Sequence, residues 1–232
     1  MICPKCEFEQ PDGSSECSRC GIVYAKFERR LREQQEASKQ LVFDGLKRHG
    51  DSALPLYGRI LVLMILSYFS WHLIPSTIAS NVAGQSFMHL INLPFHEAGH
   101  LLFRLFGRFM HSLGGSLGQL LMPLICLFVL WFKTKDAFGA AVCLWWFGEN
   151  FLDMAPYMND ARSLSLPLIG GNFGHSSPYG FHDWEFLLTE SHLLQYDHAI
   201  AKTSHLLGST LMLGAIGWAV FLIIRQWRSE KR

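Results

Sequence analysis

Five apolar runs constrain this chain more than any other feature. They cover about residues 58–79, 86–107, 114–132, 136–158 and 204–224. A run of about 20 apolar residues is the length at which an α-helix crosses a bilayer. A helix also satisfies its own backbone hydrogen bonds, which lipid cannot do for it. Composition agrees: half of the residues are hydrophobic and 17% are charged, too little charge for an ordinary soluble domain. The expected fold is an all-α polytopic membrane protein of about five transmembrane helices, with a small polar appendage.

The charges sit at the edges of these runs. Basic residues gather between Lys26 and Arg48 and again between Arg225 and Arg232. Lys47, Arg48 and Arg59 precede or open the first run, whereas the connection from Ser76 to Gln85 carries no charge. The positive-inside rule therefore puts the N-terminus in the cytosol, and the chain opens on cysteines and polar residues instead of a secretory signal. The expected location is the bacterial inner membrane. Five spans from a cytosolic N-terminus leave the basic tail outside, so either the positive-inside rule is violated at this later helix, or one segment is re-entrant, or a further membrane-dipping piece lies within 160–202.

The appendage has its own chemistry. Cys3-Pro4-Lys5-Cys6 and Cys17-Ser18-Arg19-Cys20-Gly21 each present two thiols on a short turn. Four thiolates close a tetrahedral site with no open position, which folds a segment too small to bury a core. Residues 1–25 are read as a structural zinc site on Cys3, Cys6, Cys17 and Cys20, and the stretch resembles the short zinc-ribbon modules at the start of many bacterial proteins. Residues 26–56 follow as a charged linker or surface helix, rich in helix formers. Acidic residues alternate with the basic ones there, which argues against a nucleic-acid partner. Cys126 and Cys143 lie in apolar runs and are read as small core residues.

The second apolar run contains His96-Glu97-Ala98-Gly99-His100. On a helix the two histidines share a face, so both imidazoles reach one metal ion, and Glu97 stands where it can take a proton from water. Ionisable groups inside an apolar span are costly, which marks them as functional candidates. Pro94 predicts a kink or loosened turn close by. Gly114-Gly115-Ser116-Leu117-Gly118-Gln119 opens the third run. It suits either close helix approach or an irregular backbone beside a water-filled cavity. Gly208, Gly214 and Gly217 in the last run suit close packing.

The fourth run turns polar at Gly148-Glu149-Asn150-Phe151-Leu152-Asp153. Asn150 and Asp153 share a helical face. An inward Asp153 could supply the third ligand that the histidines need, with Asp160 read as an anchor of the helix end. Between 160 and 202 the chain is loop-like and carries His175, His182, His192 and His198. His182-Asp183 could reach the site as a lid, or these histidines make ordinary loop hydrogen bonds.

Over residues 86–160 the chain resembles the site-2 protease group of intramembrane zinc metalloproteases (peptidase M50). The residues that carry the likeness are His96-Glu97-x-x-His100, the glycine-rich third segment and the Asn150/Asp153/Pro156 helix. The resemblance implies a zinc ion on His96, His100 and Asp153, Glu97 as the catalytic base, and Asn150 as a supporting contact. It implies a metalloprotease-like domain over 57–232, with the loop 160–202 inside it, that cuts membrane-protein substrates in the bilayer. The group's later motif reads Asn-x-x-Pro and then Leu-Asp-Gly, whereas here Met154 follows Leu152-Asp153 and the proline comes afterwards. The same residues would also serve a zinc hydrolase of membrane lipid, or a non-catalytic zinc-binding scaffold or sensor whose ribbon binds a protein partner.

Overall fold

The computed structural model describes residues 1–50 and 55–231, with side chains omitted for 40–50. Residues 51–54, the end of the expected linker, lie outside the described residues, as do the side chains of Lys47 and Arg48. The chain divides into two compact units, Met1–Asp51 and Ser52–Arg232.

In the first unit two cysteine turns repeat one geometry. The Cys3 amide donates to Phe8 O (2.9 Å) and the Glu7 amide to Cys3 O (2.9 Å). In the second turn the Cys17 amide donates to Ile22 O (2.9 Å) and the Gly21 amide to Cys17 O (2.8 Å). Each turn ends in the left-handed region, with φ +57° at Glu7 and +68° at Gly21. Glycine takes that conformation without penalty and glutamate does not. The helix α1 (Tyr24–Gly50) follows. From Glu28 to Lys39 its side chains are exposed, and it carries i,i+4 ion pairs Arg29–Glu33 (3.0 Å) and Glu28–Arg32 (3.5 Å). Such pairs each add a few tenths of a kcal/mol, about 0.3–0.5, so α1 reads as a solvated helix.

The second unit is built on the helices α2 (Leu56–Leu73), α3 (Phe87–Phe103), α4 (Arg108–Phe128, running on as a π-turn to Thr134), α5 (Ala137–Asn159), α6 (Asp183–Glu190) and α7 (Asp197–Glu230), with a mostly irregular connection over 160–182. Pro75 has no amide hydrogen to continue α2, which stops at Leu73 instead of reaching 79. Among the described residues, three helices are long and apolar enough to cross a membrane: Leu56–Leu73, Arg108–Thr134 and Leu194–Glu230. That is fewer than the five expected. α3 has 17 residues, about 25 Å at 1.5 Å per residue, short of a hydrocarbon core of roughly 30 Å. α5 is long enough, but it carries Glu149, Asn150 and Asp153, and none of its residues is exposed. It is the inner helix of the unit, shielded by its neighbours, and its polar groups are buried in protein.

Glycines set two crossings. A Cβ on Gly114 would come within 2.7 Å of Gly99 O, so α3 and α4 touch backbone to backbone. A Cβ on Gly148 would lie 2.9 Å from Gly208 O, which brings α5 onto α7 in the same way. The glycine-rich stretch is thus regular helix in close approach. Gly214 and Gly217 have nothing near their missing side chains, so of the three glycines in α7 only Gly208 serves packing. α3 runs through Pro94 as one helix.

Candidate metal centre

The i,i+4 spacing on α3 turns His96 and His100 to one side, and their rings lie 4.7 Å apart. Each Nδ1 has a partner. His100 Nδ1 donates to the His111 carbonyl (2.7 Å), and His111 Nδ1 returns a bond to the His100 carbonyl (2.8 Å), tying α3 to the start of α4. His96 Nδ1 lies 2.7 Å from Gln119 Oε1, also on α4. A carbonyl can only accept, so the Nδ1 of His100 holds its proton, and Nε2 is the atom turned to Asp183. An amide oxygen has the same effect on His96. Locking Nδ1 in this way is how proteins prepare histidine as a metal ligand through Nε2.

The third group comes from α6. Asp183 Oδ2 faces both Nε2 atoms, at 3.4 Å from His96 and 3.3 Å from His100. Its other oxygen accepts from Ser112 Oγ (2.7 Å), and its amide donates to Tyr157 Oη (2.9 Å). Burial alone would raise the Asp183 carboxyl, but the imidazoles of His100 and His96 and the Ser112 hydroxyl outweigh it and hold the group well below the usual carboxylate range. The ligand atoms of His96, His100 and Asp183 all lie within 4.8 Å of one another. Without an ion the imidazole Nε2–H groups bond to the carboxylate, and when those protons are displaced all three atoms turn lone pairs to one spot. The donor set therefore fits a metal ion, two nitrogens and one oxygen with room for a further ligand.

Space around this group is also prepared. The three side chains line one wall of a cavity of about 600 Å³, and Glu97 lines it beside them while standing outside the ligand group. A Cβ at Gly115 would run into Nε2 of both histidines, so a side chain there would fill the ion's position. α6 is held by Phe186, Leu187 and Leu188, all buried. The Arg108 guanidinium lies 4.7 Å over the Phe186 ring and donates to Tyr179 O (3.2 Å). His182, fully buried, caps α6 by accepting the Glu185 amide (3.1 Å) at Nδ1. Its Nε2 lies 3.6 Å from Asp160.

Asp153, expected as the third ligand, stands elsewhere. Its Oδ1 lies 2.8 Å from His89 Nδ1, and its Oδ2 accepts from Asn92 Nδ2 at 2.9 Å. Along α3 that is one to two turns before His96, and Asp183 has the place beside the histidines. Asn150 is fully buried and donates to the Trp146 carbonyl one turn earlier (2.9 Å), so it supports its own helix and does not line the cavity. Asp160 is an anchor: it accepts from Ser163 Oγ (2.6 Å), Ser165 N (3.0 Å) and Leu166 N (2.9 Å), folding the chain back after α5. Of the His182-Asp183 pair, Asp183 faces the two histidines, whereas His182 caps α6 and does not line the cavity. Gln119 and His111 carried no spacing signal and emerge only from the packing of α4 on α3.

The cysteines form the other candidate centre. All four ligand atoms lie within 4.8 Å of one another, with Sγ–Sγ distances of 3.7 Å for Cys3–Cys20 and Cys6–Cys17. Burial opposes ionisation of Cys3, but the amides of Lys5 and Cys6 prevail and lower its thiol to about 6. The Phe8 amide favours the Cys6 thiolate, but burial and the sulfurs of Cys20, Cys3 and Cys17 push it up to about 12. Four crowded sulfurs cannot all ionise unless a cation shares the charge.

Comparison of the chain with protein-family models, curated proteins and solved structures gave no match.

Proposed function

We propose that this chain is a zinc-dependent endopeptidase of the membrane, acting on membrane-protein substrates, with a structural zinc ribbon at its N-terminus that serves a protein partner. One observation carries the reading. Two histidines with committed Nδ1 atoms and one half-buried carboxylate converge on a single point in a cavity, and a glutamate lines that cavity without joining them. Two nitrogens and one oxygen with an open position suit catalytic zinc. A zinc ion there supplies Lewis acidity, making water easier to deprotonate and a carbonyl easier to attack.

The remaining work belongs to the chain. Gln119 and the His111 carbonyl keep both rings oriented. Glu97 takes a proton from the attacking water as its oxygen bonds to the peptide carbon, and delivers that proton to the departing amine as the C–N bond breaks. Gly115 keeps the position between the rings clear. Asp183 arrives on a separate element, so docking of α6 completes the site. The three membrane-length helices are consistent with a bilayer setting, and the basic flanks favour a cytosolic N-terminus in a bacterial inner membrane.

Metal analysis and cleavage assays together test this. Wild type should hold two zinc ions, with one lost in His96→Ala and the other in Cys3→Ala. Glu97→Gln should keep both ions and lose cleavage of membrane-helix peptides. A wild type holding only the ribbon zinc would refute the enzyme reading, and a fully active Glu97→Gln would remove Glu97 as the base.

A further inference from the structure

The cavity contains a second polar group that the proposed chemistry leaves unused. His89, Leu93, His96 and His100 line it from one face of α3, and Asp153 lines it from α5. Asp153 and Glu149 are successive turns of α5, and Asn92 bridges them, donating one amide hydrogen to Glu149 (2.9 Å) and the other to Asp153 (2.9 Å). Trp146 Nε1 fixes Asn92 through its carbonyl (2.8 Å). Glu149 is fully buried and its second oxygen has no partner. His89 is the outward end of this network: its Nδ1 meets Asp153 at 2.8 Å, and its side chain remains 36% exposed. The Asp153 carboxylate behind the ring favours its cationic form, in which Nε2 carries a hydrogen not used by the Asp153 contact. A carboxylate-backed imidazole at a cavity wall is a built hydrogen-bond donor.

We infer that His89, held by Asp153, is a substrate-binding residue that takes a hydrogen-bond acceptor, a carboxylate or amide oxygen, on the peptide being cut. This rests on the endopeptidase reading. His89 and His96 are two helical turns apart, about 10 Å along the axis at 1.5 Å per residue. An extended peptide covers that distance in about three residues at roughly 3.3 Å each. The acceptor therefore lies about three residues from the cleaved bond, with α3 as the ruler.

The test uses the full-length protein in detergent or bilayer and a synthetic apolar 22-residue peptide in which one Asp replaces Leu at successive positions. Binding is read in the Glu97→Gln background. There the Asp peptides should bind about tenfold tighter than the all-Leu parent, as one hydrogen bond to a charged group allows. Adding His89→Leu or Asp153→Leu should abolish the preference, and His89→Gln, which keeps a donor, should restore part of it. Zinc content of each variant shows that the His96/His100 group survives. With wild type, mass spectrometry should find the cut moving with the Asp, about three residues away.

Equal binding of Asp and Leu peptides, or a preference that survives His89→Leu, overturns the inference. A cut that ignores the Asp position overturns it while leaving the endopeptidase reading intact. A His89-dependent preference with no cleavage by zinc-loaded wild type keeps the subsite and refutes the endopeptidase.

Discussion

The two candidate metal centres are built by opposite strategies. The cysteine group takes its ligands from two turns that repeat one hydrogen-bond pattern within the first 21 residues. Four sulfurs enclose the position, and nothing in that unit approaches it as a reactant would. The histidine group takes two ligands from one helix and the third from a helix 83 residues further on, with a cavity on its open side. A locally closed site supplies folding energy, whereas a site assembled across elements can leave one position free for chemistry. The difference also predicts how each responds to damage.

Chelation should separate them most widely. The cysteine unit has almost no core of its own, and structural zinc contributes about 10–16 kcal/mol in such modules. Removing metal should therefore unfold residues 1–23. The helices of the second unit, which rest on Trp145, Leu152, Leu73 and Met212, should persist. Far-ultraviolet circular dichroism with residue-resolved hydrogen exchange reads both outcomes; equal loss in the two units would break the contrast.

Next in size is Gly115→Ala. Its methyl would meet both Nε2 atoms, so zinc at the histidines should be lost while the ribbon zinc stays, as metal analysis would report. Asp183→Ala should also cost metal, by more than the roughly 10–100-fold typical of residues that only orient a ligand. If Asp153→Ala instead cost the metal and Asp183→Ala did not, the third ligand would have been misassigned. Gln119→Leu removes only the acceptor on His96 Nδ1, and its effect should fall within that 10–100-fold window, measured by competition with a chelating dye.

The smallest effect concerns pH. Burial would raise Asp160, but His182, the Ser163 hydroxyl and the amides of Leu166 and Ser165 hold it below the usual carboxylate range. A carboxylate depressed in the folded state contributes stability that is complete above its unfolded value near 3.9 and is lost as pH falls toward the folded one. The chain after α5 should stay protected from proteolysis at pH 5 and loosen progressively below about pH 4. Asp160→Asn should loosen it at both.

Much of this was legible in residues alone because it depends on local geometry. A four-residue spacing turns two side chains the same way on any α-helix, which is why His96 and His100 could be paired. Two Cys-x-x-Cys turns converge for a similar reason. Glu149, Asn150 and Asp153 were conspicuous as polar groups in an apolar helix, but their destination depended on which neighbour α5 met. It met the first half of α3, so Asp153 went to His89 and Asn92. The span count was legible only in part for a related reason. Apolarity marks a residue for burial, and burial by protein and by lipid read alike until α5 is seen to leave no residue fully exposed.

The sequence by itself determined the three local pairs of candidate ligands (Cys3/Cys6, Cys17/Cys20 and His96/His100), the helical class, and the charged character of α1. Tertiary structure alone decided that Asp183 joins the histidines, that Gln119 and His111 hold them, and that His89 stands two turns away on the same wall. The first set follows from backbone periodicity, which each residue carries with it. The second depends on how close α3, α4 and α6 can come, and that distance is set by Gly99 meeting Gly114 and by the buried apolar side chains of α6, which local periodicity does not bring together.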